Sequence, residues 1–130
     1  MAMRQIYIDV DGYWGIVVVT DFDVETERVE LKAQLRSFGL SSYNADRALQ
    51  ILSGYNTGMA VSVPDLKMSA IYISRATSSS EFYDTAIHEF IHVADAILDY
   101  YGESWGGEPS AYLVGFLTKE FVNKVGEPCY

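Results

Sequence analysis

His88 and His92 are the only two histidines in the chain, and they flank an acid in His88-Glu89-Phe90-Ile91-His92. On a helix, residues i and i+4 project from one face, so both imidazoles can address the same metal ion. Glu89 follows His88 by about 100° around the axis and would flank a water bound to that ion. Neutral imidazole suits zinc, and a catalytic zinc keeps one coordination position open for water. The spacing therefore points to zinc-dependent hydrolysis. An exposed helix face that merely carries His and Glu is the competing explanation. Context weighs against it, because the motif lies in a long apolar-periodic segment behind a strand-like run, Ser69 to Ser74, and a Ser-rich turn.

The element that must hold the motif is a helix from Ser79 to Tyr101. Ser78 with Glu81 three residues later has the form of a capping box, and Gly102 stands in the stop position. Phe82, Ala86, Phe90, Val93 and Ile97 supply a packing face, which makes this helix central to the core. Ahead of it, Ile6, Ile8 and Val10 alternate with polar residues, Asp11-Gly12 marks a turn, and Tyr13 to Thr20 is an apolar run, so a β-hairpin is expected with its second strand buried on both faces. A helix is expected from about Val24 to Phe38, with Val29, Leu31 and Leu35 on one side and Gly39 as its stop. A second follows, capped by Ser42, with Ala45, Ala48, Leu49 and Leu52 inward and Gly54 at its end. Met59 to Val63 and Lys67 to Ser74 read as two strands joined around Pro64-Asp65. The fold class is α+β, a small antiparallel or mixed sheet packed on a central zinc-binding helix, as one domain over residues 1–130.

Two histidines and a water leave tetrahedral zinc one protein ligand short, and an acid must supply it. Asp95 and Asp99 share the motif helix, which cannot readily bend three such positions around one ion; supporting or solvent roles suit them better. Glu103 lies in the glycine-bearing loop from Gly102 to Gly107. Glu108 opens the next apolar-periodic segment, with Pro109 suited to its first turn, and a helix returning antiparallel would carry it back along the motif helix. Glu108 is preferred to Glu103. A phenol hydroxyl from Tyr112, Tyr100 or Tyr101 could stabilise a transition state, although with 10 tyrosines in the chain simple packing is the commoner role for any one of them. Strand Ile71 to Ser74 could bind an extended peptide by strand addition, or owe its pattern to burial alone.

From Ser69 to about Phe121 the chain resembles the gluzincin branch of zinc metallopeptidases in its compact form, as found in small phage and mobile-element proteins. The resemblance rests on Thr85-Ala86-Ile87-His88-Glu89-Phe90-Ile91-His92, the glycine loop, and Glu108 with Ala111 leading into a second helix. It implies a minimal zincin-like fold in which His88, His92 and Glu108 bind Zn2+. Glu89 would be the general base, taking a proton from zinc-activated water and returning it to the leaving amine. The interval from His92 to Glu108 is shorter than in large gluzincins, and no further histidine is present to stabilise an oxyanion. The implied substrate is a peptide or protein; a non-catalytic zinc-binding phage or regulatory protein, and a hydrolase of non-peptide amides, are the other readings.

Composition bounds the partners. A net charge of −9 speaks against nucleic acid or an anionic membrane surface as the main partner. The N-terminus lacks a signal-peptide core and no apolar run approaches membrane-span length, so a cytoplasmic location is expected. Cys129 is the one cysteine and is expected as a free surface thiol.

Overall fold

The computed structural model describes residues 3–54, 57–76 and 78–125; Cys129 lies outside them. Four strands form one mixed sheet in the order β1-β2-β4-β3. Strands β1 (Arg4–Val10) and β2 (Trp14–Thr20) make the expected hairpin, in antiparallel register from Arg4 opposite Thr20 to Val10 opposite Trp14. Positive φ at Asp11 and Gly12, 50° and 80°, suits the primed turn that such a hairpin needs. Strand β4 (Met68–Ile73) pairs parallel with β2 and antiparallel with β3 (Gly58–Val63). A short 3-10 turn, Pro64–Leu66, joins the last two, with Lys67 in the left-handed region closing it.

Helices α1 (Arg28–Ser37) and α2 (Ser42–Ser53) cross from β2 to β3 and cover one face of the sheet. Their inward side, Leu31, Leu35, Ala45, Leu49 and Leu52, packs with Val19, Ala70, Tyr72 and Met59. Helices α3 (Ser79–Tyr100) and α4 (Glu108–Val125) cover the other, packing on Ile6, Ile8, Val10, Ile16, Val18, Ile71 and Ile73. The α+β expectation holds. The sheet is not packed on one central helix alone, because β2 and β4 are apolar on both faces and each face needs its own helical layer.

Strand ends and the end of α3 shift by one residue from expectation, and the starts of α1 and α2 differ for a visible reason. Residues 24–27 are a turn rather than the start of α1, because the Asp23 carboxylate accepts from the Glu25 and Thr26 amides and holds the chain out of the helix. Val29, expected on the inward side, is 83% exposed because it lies about 120–160° around the helix from the buried Leu31 and Leu35. Helix α2 is capped by Ser41, not Ser42; its hydroxyl accepts from the Asn44 amide at 3.1 Å. Among the described residues no helix is long and apolar enough to cross a membrane.

Candidate metal centre on helix α3

Helix α3 starts where its cap dictates. Ser78 Oγ accepts from the Glu81 amide at 3.2 Å, and the helix runs unbroken to Tyr100, with Gly102 at φ 74° after it. At 100° per residue, Phe82, Ala86, Phe90, Val93 and Ile97 share one arc, and all are buried. His88 and His92 fall about 120–160° from the centre of that arc and are exposed. Glu89 falls about 60° from it, at the border of the buried arc, and is 5% exposed.

The imidazoles converge. Their Nε2 atoms are 3.3 Å apart and the ring centroids 5.0 Å. Two nitrogens bound to a tetrahedral ion at 2.0–2.1 Å stand about 3.3–3.4 Å apart, so the separation of the pair matches that of two ligands of one zinc. A ligand atom from each of His88, Glu89 and His92 lies within 4.8 Å of the others, a group that could hold a metal ion. Burial pushes the Glu89 carboxyl above its ordinary range, and positive charge on His88 and His92 works the other way.

Strand β3 forms the wall beside Glu89. A Cβ built on Gly58 would meet Thr85 Cγ2 at 2.6 Å and Glu89 Oε2 at 3.0 Å, so only glycine lets the strand approach this closely. One residue earlier, the Thr57 and Thr85 hydroxyls are hydrogen-bonded at 2.9 Å and tie strand to helix. Sequence reasoning passed over both Gly58 and the threonine pair. A glycine at the mouth of an apolar run is the signal that could have found the first.

The other expected site residues lie elsewhere. Glu108 is the first residue of α4 and exposed, and it is outside the cluster of His88, Glu89 and His92. Its neighbour Pro109 lines a cavity with Ile97, Leu98 and Tyr101, which puts Glu108 near the C-terminal end of α3. The side matters as well as the level. Phe121 of α4 stacks on Phe82 and meets Phe90 edge-on at 5.3 Å, so α4 packs on the arc of α3 that faces away from the histidines. Asp95 and Asp99 are exposed on α3, and Glu103 lines the cavity with Pro109. The Tyr112 hydroxyl donates to Asp11 at 3.3 Å, while Tyr100 and Tyr101 pack on Trp14. None of these phenols is at the histidine pair. Strand β4, expected to accept a peptide, is paired on both sides; among the described residues β3 pairs only with β4, and its Gly58 lies beside Glu89.

Comparison of the chain with protein-family models, curated proteins and solved structures finds no match.

Proposed function

We propose that the chain is a zinc-dependent hydrolase, most simply a small metallopeptidase, with His88 and His92 as metal ligands and Glu89 as general base. The observation that carries the reading is the pair of Nε2 atoms 3.3 Å apart with a buried carboxylate beside them. When bound there, zinc supplies an electrophile that acidifies water toward neutral pH and polarises a carbonyl. Glu89 does the rest of the proton work. Held at the border of the core, with burial raising its affinity for a proton, its carboxylate takes one from the attacking water and returns it to the leaving amine. Among the described residues β3 pairs on one side only, and its other edge, beside Glu89, would let an extended peptide lie along Gly58–Val63 as an added strand with its scissile bond passing Glu89.

Among the described residues the clustered donors are the two imidazoles and the Glu89 carboxylate; with Glu89 kept as base, water or a substrate group would take the remaining positions. That same shortage favours a second reading, a zinc-binding protein without catalysis. Cleavage of a generic peptide library separates the two. The hydrolase reading expects cleavage that a chelator abolishes and zinc restores. It further expects Glu89→Gln to lower cleavage by about 10²-fold or more while zinc content is retained. Zinc bound at one equivalent with no cleavage of any peptide supports the non-catalytic reading. Loss of zinc in Glu89→Gln removes the assignment of Glu89 as base.

A further inference from the structure

At the C-terminal end of α3, on the side turned away from the histidines, a cavity of about 320 Å³ opens between the β1–β2 turn, α3 and the start of α4. Its walls are aromatic. Tyr13 and Tyr101 meet at right angles with centroids 5.5 Å apart, and Tyr112 closes a third side, backed by Phe116 stacked at 6.0 Å. Its floor is aliphatic, with Leu98 and Leu113. One lining residue is acidic, Glu103, and behind the lining Asp11 accepts a hydrogen bond from the Tyr112 hydroxyl. Among the described residues neither Glu103 nor Asp11 makes an ion pair.

We infer that this cavity is a binding site for an alkylated ammonium group. Ring faces carry the negative end of the aromatic quadrupole, and several of them around one point attract a cation within about 6 Å. The Glu103 carboxylate in the lining and Asp11 behind Tyr112 add long-range attraction in a chain of net charge −9. An apolar floor selects among cations. Sodium or a primary ammonium would lose hydration there without recovering it, whereas a methylated ammonium spreads its charge over groups that bury favourably against Leu98 and Leu113. The site is independent of the metal centre, since its walls come from Tyr13, Tyr101 and Tyr112 and none of them adjoins His88 or His92.

NMR titration of the full chain at constant ionic strength tests this with choline, with tetramethylammonium and with the uncharged carbon isostere of choline. Saturable shifts of the tyrosine ring signals are expected with both cations at low-millimolar concentration, and the isostere is expected to bind about tenfold more weakly. Tyr101→Leu should abolish the shifts and Tyr101→Phe should keep them, because the ring face, not the hydroxyl, makes the contact. Glu103→Gln, on an exposed loop, should weaken binding about threefold or more and serves if Tyr101→Leu does not fold. A peptide bearing trimethyl-lysine, run beside choline, identifies the source of the group; tighter binding of either one supports the site. Equal affinity for the isostere, no response to either cation, or unchanged binding in a folded Tyr101→Leu overturns it. His88→Ala should bind choline as the parent does, so failure here and failure of the metal centre are separable.

Discussion

Gly58 at the start of β3 and Glu89 on α3 approach so closely that a Cβ on the former would stand 3.0 Å from Oε2 of the latter. The strand edge and the candidate base are thereby one unit. Gly58→Ala must push Thr85 and Glu89 aside, since Thr85 Cγ2 would be only 2.6 Å away. Overpacking of this kind costs about 1–3 kcal/mol, read as a lower midpoint in urea. Zinc content should be unchanged, because His88 and His92 project from a different arc of the helix. Hydrolysis should fall with the displacement of Glu89. A variant as stable and as active as the parent would mean the strand yields freely at this point.

The convergence of the two imidazoles sets the metal prediction. Protein purified without chelator should carry about one zinc per chain by elemental analysis. His88→Ala and His92→Ala should each reduce affinity by about 10²-fold or more in competition with a chromophoric chelator, because one protein nitrogen remains. Both histidines are exposed, so far-UV circular dichroism of the metal-free variants should match the parent. Parent protein holding well under half an equivalent after reconstitution would remove the metal centre.

Glu108 provides the sharpest contrast between resemblance and geometry. The gluzincin likeness makes it a ligand; its place at the far end of α3 keeps it out of the cluster. With α4 where Phe121 holds it, Glu108→Ala should change zinc affinity by less than about threefold, below even the loss typical of supporting groups. The chelator competition used for the histidine variants measures it. A hundredfold loss would show instead that α4 closes on the metal.

The local layer of this architecture was readable from residue order. Ser78 and Glu81 mark the start of α3, the apolar period fixes which arc is buried, and from that arc alone His88 and His92 are outward with Glu89 at the border. The hairpin and the strands flanking Pro64 follow from alternation and turn chemistry in the same way. What could not be read depends on contacts between elements distant in the chain. Glu108 sits where it does because α3 continues two turns past His92 before reversing, and because Phe121 chooses the arc of α3 on which α4 lies. Among the described residues β3, not β4, stands at the edge of the sheet, because β4 inserts between β2 and β3. No periodicity within either strand encodes that order. Even the local layer fails where side chain and backbone compete, as at Asp23, whose carboxylate delays α1 to Arg28.

The burial of Glu89 carries a stability consequence in metal-free protein. Burial raises the folded-state pKa of this carboxyl, so the folded chain holds the proton more tightly than the unfolded chain. Between the unfolded and the folded pKa the native state binds more protons, and stability falls as pH rises through that window. Above it the ionised carboxylate is a standing cost. Glu89→Gln removes the charge and keeps the shape, so metal-free Glu89→Gln should be more stable than the parent at pH 7. The advantage should shrink on acidification to about pH 4, where the parent carboxyl is protonated. Urea midpoints of both proteins in the presence of chelator, taken across that range, measure the difference. A parent that gains stability relative to Glu89→Gln as pH rises would mean that hydrogen bonds to the ionised carboxylate outweigh its burial.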